Sequence, residues 1–287
     1  MTPLVTIGVP VFNEERFLAE ALDSLLAQTF TDFELVIADN ASTDGTESIG
    51  RSYAQRDSRI RYVRHRSNVG APANWNFLVT VARGAYFKWA SANDTCAPKM
   101  LADCVALLST NPDVVLCYGR TELVDDAGHF QLFEGDIDVS DARPSERFSR
   151  VCRHLTMNNA QCGLIRHDAL MKTRLDRPYP RGDMVLMAEL SLLGQFRLLP
   201  GIHLYRRTGR GAMTTKLSPE ELAQIYRPGA RSAFRALTAR LHFDYLATVL
   251  RSPIPLSEKA PAVLGVLRRA AWSRSKMWQE LRSLLAA

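Results

Sequence analysis

Three short polar runs hold the residue types that chemistry would need. "ADNASTDGT" places Asp39 and Asn40 after an apolar run, with Ser42 and Gly45 behind them. A carboxylate at such a strand end can accept hydrogen bonds from a nucleotide base or ribose, and the same run also reads as a plain polar turn with Ser42 as a helix cap. "PVFNEE" sets Pro10, Val11 and Phe12 before Asn13 and Glu14. A helix starting there offers backbone N–H groups to an anion, while acidic residues at that place also simply match the helix dipole. "KWASANDTCAP" starts like a buried strand and ends on Pro98. In its small polar run, Ser91 to Thr95, the one charged residue is Asp94. That run is either a metal and phosphate site with most of its carboxylates missing, or a turn.

Apolar periodicity shows what must hold these runs in place. "LVTIGVPV", "FELVIAD", "IRYVRH" and "GAYFKWAS" read as strands. Between them, "EERFLAEALDSLLAQ", "STDGTESIGRSYAQRD" and "APANWNFLVTVAR" read as helices. The first of these gathers Phe17, Leu18, Ala21, Leu22, Leu25 and Leu26 on one face. Strands alternating with helices at this spacing predict a mostly parallel sheet covered on both faces. Ligands of such sheets sit beyond the carboxyl ends of the strands, and all four strand ends here are polar. Further on, "PKMLADCVALLSTNP" reads as a helix, "DVVLCYG" as a strand and "TELVDDAGHFQLF" as a hairpin. "EGDIDVSDARPSE" reads as loop, "CGLIRHDAL" as a strand running into a helix, and "GDMVLMAELSLLGQ" as a helix. "FRLLPGIHLYRR" reads as two short strands split at Pro200-Gly201, "TGRGAMTTK" as a loop, and everything from Pro219 as helical with a break at "SPIPLS".

The 287 residues suffice for one large α/β domain with a helical appendage. Hydrophobic content of 46% with 23% charged residues is that of a globular chain. No apolar run approaches a membrane span, and the N-terminus has neither the basic start nor the cleavage site of a secretory signal. The five cysteines, an odd number without a CxxC pair, point to free thiols in a reducing compartment and away from zinc. The net charge is +6. From Pro219 onward there are eleven Lys and Arg against five Asp and Glu, so the tail alone accounts for the excess.

Taken together, residues 4 to 46 closely resemble the opening of the family 2 glycosyltransferases, which have the glycosyltransferase A fold. That opening is a strand, then Pro-x-(Phe or Tyr)-Asn-(Glu or Gln)-Glu, a helix ending in Gln-Thr or Gln-Ser, and a strand ending in an Asp-(Asp or Asn)-x-Ser-x-Asp-x-Thr run. Here these are Pro10 to Glu15, Gln28-Thr29, and Asp39 to Thr46. The likeness continues through Asn68, Gly70, Asn74 and Gly84, is strong over residues 4 to 118, and thins to about Thr215.

The resemblance implies a nucleotide-diphospho-sugar transferase sheet flanked by helices. Residues 1–217 would form the catalytic domain, 1–118 its nucleotide-sugar half and 119–217 its acceptor half, with 218–287 a basic helical extension. It implies a nucleoside diphosphate sugar, with UDP favoured, as donor. Asp39 would bind the base, the Pro10–Glu14 backbone would lie near the nucleoside, and Asn68 near the ribose or diphosphate, with Asn40, Gly70 and Asn74 also in the nucleotide-sugar site. In the family the fourth strand ends in D-x-D-D and holds a divalent cation, Mg²⁺ or Mn²⁺. The aligned Ser91, Ala92, Asn93 and Asp94 leave Asp94 as the carboxylate and Asn93 as a carbonyl donor. Some relatives add a metal-binding histidine after the last strand, where this chain has Thr208. A divalent metal on Asp94 and Asn93 is the favoured reading; if it is weak or absent, Arg206, Arg207, Arg210 and Lys216 are the candidates to meet the charge of the leaving diphosphate. The catalytic base implied by the resemblance is Asp183, at a helix start that also suits a cap, with Glu189 second.

The acceptor class implied is a cell-surface glycan or glycolipid, built on the cytoplasmic side by a soluble or peripheral enzyme. The tail allows two readings. As a basic amphipathic segment with tryptophans, residues 257–287 suit an anionic membrane surface; as ordinary helices they pack on the domain or on a second subunit. A nucleic-acid partner has no accompanying module. Ser91 and Asn93 also allow a catalytically degenerate relative that binds nucleotide sugar or a partner without turnover. A sugar nucleotidyltransferase would want a glycine-rich basic run where "PVFNEE" stands.

Overall fold

The computed structural model describes residues 2–208, 217–229 and 236–285. Arg210 and Lys216 lie outside the described residues. The first half forms as the periodicity predicts. β1 (Val5–Val11), β2 (Phe33–Asp39), β3 (Ile60–Arg64) and β4 (Tyr86–Trp89) run parallel in the order β3-β2-β1-β4. The crossovers are α1 (Leu18–Leu26), α2 (Thr46–Arg56) and α3 (Ala71–Thr80). Every residue of β1 and β2 is buried, as expected of central parallel strands covered on both faces. Alternate side chains feed two cores. Val5, Ile7 and Val9 pack with Leu18, Leu22 and Leu25 of α1, while Val36, Phe87 and Trp89 pack on the other side with Leu78 of α3.

Pro10 sits in the middle of this sheet without breaking it. The β1–β4 ladder ends where Ala90 N donates to Gly8 O. Pro10 lies two residues on and faces the same side, so its missing N–H falls beyond the last β4 partner.

The second half is β5 (Thr95–Cys96), α4 (Met100–Thr110), β6 (Val114–Val124), β7 (Phe130–Leu132), α5 (Pro144–His154), a 3₁₀ turn (Asn159–Cys162), β8 (Leu164–Arg166), α6 (His167–Met171), α7 (Gly182–Leu193) and β9 (Gln195–Arg207). The sheet continues β4-β8-β6-β9-β5, with β8 antiparallel to both its neighbours and β7 folded back on β6. Two expectations change here. The last strand is one continuous element, because register slips from Leu199 opposite Gly119 to Ile202 opposite Arg120, and Pro200-Gly201 bulge out of the ladder. The segment expected to be loop already starts α5 at Pro144, whose fixed φ suits a first helical turn.

After α8 (Pro219–Tyr226) come α9 (Leu237–Arg251), α10 (Leu256–Trp272) and α11 (Arg274–Leu285). Leu241, Tyr245 and Val249 of α9, with Ala262 and Val266 of α10, are buried in the same core as Phe148 of α5 and Leu186 of α7. α11 is tied to α9 where Thr238 N and Oγ1 both donate to Glu280. All five cysteines are free thiols. None of the described helices is long and apolar enough to cross a membrane.

Because Tyr245 is only 1% exposed within that shared core, Tyr245→Ala is expected to destabilise the whole chain by about 3–5 kcal/mol. The check is urea unfolding followed by tryptophan fluorescence. A single transition shifted to lower urea is expected; an unshifted transition contradicts the packing.

Candidate functional site

The polar ends of β1 and β2 are laced to each other. Asn13 takes a left-handed backbone (φ 55°), which asparagine tolerates better than most residues. This turns three successive N–H groups toward the loop after β2. Asn13 N donates to Ser42 Oγ (3.0 Å), Glu14 N to Thr46 Oγ1 (2.8 Å) and Glu15 N to Asp44 Oδ2 (3.1 Å). In return Thr43 N donates to Asn13 Oδ1 (2.8 Å) and Gly45 N to Glu15 Oε2 (2.7 Å). The N–H groups read from sequence as an anion cradle are therefore occupied by the chain itself. Ser42 does not cap α2 either; Gly45 holds the cap position and Ser42 is drawn to Asp39 and Asn13.

Asp39 is 0% exposed. Oδ1 accepts from Ser42 N (2.8 Å) and Ser42 Oγ (2.6 Å), while Oδ2 accepts from the Tyr62 hydroxyl and Arg64 Nη1 (2.7 Å). Burial pushes its pKa up, but these donors outweigh burial and hold it below the usual carboxylate range. With two donors on each oxygen, Asp39 has nothing to offer a base in this conformation, so the base-binding role expected of it does not fit. It is the clamp beneath the rim.

Asn40 and the carbonyl oxygen of Asn68 are likewise bonded to the chain. Asn40 Nδ2 donates to Asn68 Oδ1 (2.8 Å), and Val69 N donates to Asn40 Oδ1 (2.8 Å). Gly70 N donates to Asn68 Oδ1 (2.9 Å). Gly70 has φ 90°, and a Cβ there would stand 2.8 Å from Tyr226 O, so α8 lies close over the start of α3. Asn74 is buried, donating to Ala38 O and bonded to His65 Nε2. It braces the sheet and does not face a ligand. What remains open at this end is Phe12, 40% exposed beside Asn13.

Beyond β4 the chain passes through Ser91, Ala92, Asn93 and Asp94. Ser91 Oγ donates to Asn93 Oδ1 (2.6 Å), and Ala92 is buried. Asp94 is 8% exposed and accepts Arg207 N (2.9 Å), which ties the end of β4 to the end of β9. Burial pushes the Asp94 carboxyl up, against the pull of Arg206, Lys88 and Arg207. Lys88 is itself 1% exposed, its ammonium donating to the carbonyls of Trp89 and Cys162. The side chain of Arg207 turns away to Glu20 and covers the Phe17 ring. That leaves Arg206 as the β9 guanidinium near Asp94, with Nη1 donating to Asn159 Oδ1 (2.7 Å). Thr208, where a metal-binding histidine might have stood, bonds to Val124 O. Among the described residues no three His, Cys, Asp or Glu side chains gather to hold a metal.

The 3₁₀ turn at Asn159–Cys162 joins this region to Asp183. Asp183 lies in the first turn of α7, one residue after Gly182, and Arg181 occupies the cap position. Its Oδ2 accepts Asn158 Nδ2 (2.9 Å), and no Lys or Arg among the described residues comes within ion-pair distance of it. Asn158 Nδ2 also donates to Gln161 Oε1 (3.1 Å), Asn158 Oδ1 is buried with no hydrogen-bond partner among the described residues, and the Gln161 amide faces the Asp176 carboxyl. Beside them Asp176 is pushed well above the carboxylate range by burial and by the charge of Asp183. Tyr226 of α8 is raised by burial and by the same two acids. Glu189, the second candidate base, is bound by Arg174 N and Nε and by Thr248 Oγ1, and is structural. Asn158, Gln161, Asp176 and Tyr226 escaped the sequence reading; the amide-rich "MNNAQCG" was the available signal.

A profile described as "Glycosyl transferase family 2" matches residues 6–174. An uncharacterized glycosyltransferase of Rickettsia felis is 36% identical over 130 residues, 44% of this chain and 21% of the relative. One from Methanocaldococcus jannaschii is 33% identical over 129 residues, 44% of each. The chain thus spans less than half the length of these relatives. Among solved structures, Staphylococcus aureus TarS in complex with UDP-GlcNAc superposes with a TM-score of 0.68 at 16% identity, over 93% of this chain and 72% of that one. A mannosyltransferase from Pyrobaculum calidifontis, in complex with GDP-Man and Mn²⁺, does so with a TM-score of 0.58 at 17% identity, over 100% and 76%. At these identities the likeness is one of fold.

Glu14 supplies a pH test of the rim. Burial first, then the charges of Asp94 and Asp44, push its pKa from the ordinary 4.5 to about 7. Between those values the folded chain keeps a proton that the unfolded chain has released. This contribution to stability is therefore full below the unfolded pKa and is lost as pH rises through about 7. Thermal melts between mildly acid and mildly alkaline pH should show Tm falling with pH, and Glu14→Gln should flatten part of that slope. An identical slope in the variant contradicts the placement of Glu14.

Proposed function

The chain belongs to glycosyl transferase family 2, and we propose from that premise that it is an inverting glycosyltransferase. It moves a sugar from a nucleoside diphosphate, UDP in the first instance, to a hydroxyl of a cell-surface glycan or glycolipid. The observation that carries this reading is the setting of Asp183. Among the described residues it is a carboxylate without a cationic partner, held by one neutral amide, beside the buried Asn158 Oδ1, which has no hydrogen-bond partner there. That oxygen suits a hydroxyl of a sugar, since an orphaned buried polar group is costly until a ligand satisfies it.

In the transfer, the acceptor oxygen attacks the anomeric carbon and its proton passes to the Asp183 carboxylate. The new C–O bond forms as the bond from that carbon to the diphosphate oxygen breaks on the opposite face, and the electron pair leaves with the diphosphate. Asn158 keeps Asp183 turned toward the acceptor. The open ring of Phe12 is the platform on which the base stacks, a role the sequence reading gave in part to Asp39. Arg206 meets the charge that grows on the diphosphate.

The family carries a divalent cation at the end of β4, and the Pyrobaculum neighbour holds Mn²⁺. The donors in this chain do not fit one. Asp94 is the sole carboxylate of the run and one of its oxygens is bonded to Arg207 N; Asn93 Oδ1 is bonded to Ser91. Arg206 and Lys88 already put positive charge beside it. A hard dication wants several anionic or carbonyl oxygens, so no step is routed through a metal.

Two experiments test this. A thermal-shift screen of nucleotide sugars should find a donor that stabilises the protein, and Asp183→Asn should keep that binding while transfer falls by about a hundredfold or more; undiminished transfer would sink the assignment. Titration of UDP should give the same Kd with Mn²⁺ as with chelator. Arg206→Ala should weaken it about tenfold or more, the loss of a hydrogen bond to a charged group. Binding abolished by chelator would overturn the metal-free reading and leave the family assignment standing.

A further inference from the structure

The last two helices separate into a face that is used and a face that is not. On α10, Ala262 and Val266 are buried against α5 and α9. On its outer side Leu264, Leu267 and Ala271 stand at i, i+3 and i+7, with Arg268 and Trp272 one position on. Leu256 is 82% exposed, Trp272 90% and Trp278 of α11 64%. One exposed leucine needs no explanation, but two outward tryptophans on adjoining helices do.

The charges have sorted in the same way. α10 and α11 carry Glu258 and Glu280 as their acids. Glu258 accepts from Ser145 N, Ser145 Oγ and Arg143 Nε; Glu280 accepts from Thr238 N and Oγ1. Both acids are thus bound inward. Arg268, Arg269, Arg274, Lys276 and Arg282 have no carboxylate within ion-pair distance among the described residues. Between α5 and α10 runs a groove of ≈ 660 Å³. Phe148, Cys152, Tyr245 and Val266 form its apolar floor, and Arg153, His154, Arg268, Arg269 and Trp272 stand along it. The groove is roomy at Gly265, where even a Cβ would meet nothing nearer than Ser149 Oγ at 3.9 Å. The arginines at its other end are neutralised, Arg143 by Glu258 and Arg150 by Asp141.

We propose that the outer face of α10 and α11, together with this groove, docks the protein on an anionic lipid surface, with Trp272 and Trp278 in the interfacial layer and a phosphate headgroup between Arg268 and Arg269. Tryptophan has an apolar body and a polar N–H, which suits the boundary between headgroups and acyl chains. Unpaired arginines and lysines beside it add attraction to anionic lipid of about 1 kcal/mol each. A basic, tryptophan-bearing face of this kind lies in the plane of the interface. A second copy of the chain is a poorer occupant. A two-fold contact through this face would set Arg268, Arg269 and Arg274 near their own counterparts.

The test is sedimentation of the full chain with vesicles of phosphatidylcholine alone and of phosphatidylcholine mixed with phosphatidylglycerol. The protein is expected to pellet with the anionic vesicles only, less so as salt is raised. Tryptophan emission should shift to the blue on binding. The pairs Trp272→Ala with Trp278→Ala, and Arg268→Glu with Arg269→Glu, should each lower recovery by about tenfold or more. UDP affinity and Tm should be unchanged, because these side chains lie outside the crevice and the buried core. Equal recovery with neutral vesicles, or none with either, overturns the proposal. So does a doubled mass in light scattering that both variant pairs abolish, which would give the face to a second copy. None of these outcomes depends on whether the chain transfers sugar.

Discussion

The arrangement rests on one buried carboxylate. Asp39 stands at the end of a central strand with no exposure to water, where an unpaired charge would cost several kcal/mol. Ser42, Tyr62 and Arg64 supply four donors to its two oxygens, Ser42 from the loop after β2 and the other two from β3. Satisfying Asp39 fixes the loop after β2 and the outgoing end of β3 together. The loop after β2, so fixed, offers Ser42, Asp44 and Thr46 as acceptors for the N–H groups of Asn13, Glu14 and Glu15. The rim is rigid because one charge had to be neutralised, and every residue that neutralises it is thereby positioned.

That constraint changes what the familiar polar motifs do. Asparagines and aspartates gathered at strand ends invite a reading as ligand groups. Here Asn40, Asn68 and Asn74 spend their amides on backbone and on one another. A crevice where several loops meet contains many backbone groups that no strand or helix pairs, and short polar side chains are the means of satisfying them. The groups left to act on a substrate are fewer. Arg206 bonds to Asn159 and Asp183 to the adjacent Asn158, so a guanidinium and a carboxylate are tied to consecutive residues at the start of the 3₁₀ turn. On the proposed reading these are the group that meets the leaving diphosphate and the group that takes the acceptor's proton.

The sheet, its helices and the crevice were legible from apolar periodicity and from the strand-end motifs, since burial on both faces imposes a pattern that a linear sequence displays. Pro200-Gly201 misled because a proline and glycine in mid-strand read as a break, whereas a bulge let the ladder resume. Asp94 was legible as a position, but its bond to Arg207 N was not, because that depends on how close β9 passes, which no local pattern records. Asn158 and Gln161 were missed for a related reason. They lie in a short irregular segment with neither period nor motif, and only the fold brings them to Asp183.

α9 joins the C-terminal helices to the start of α7. Tyr245 lines the floor of the basic groove and lies near enough to the first turn of α7 for Arg181 and Asp183 to act on its hydroxyl, as Arg269 on α10 does. A chain that used α9 and α10 only to complete its core would gain nothing by leaving Trp272 and Trp278 in water. Burial of one face of α10 fixes the direction of the other, so the packing that closes the core also aims the tryptophans and arginines outward.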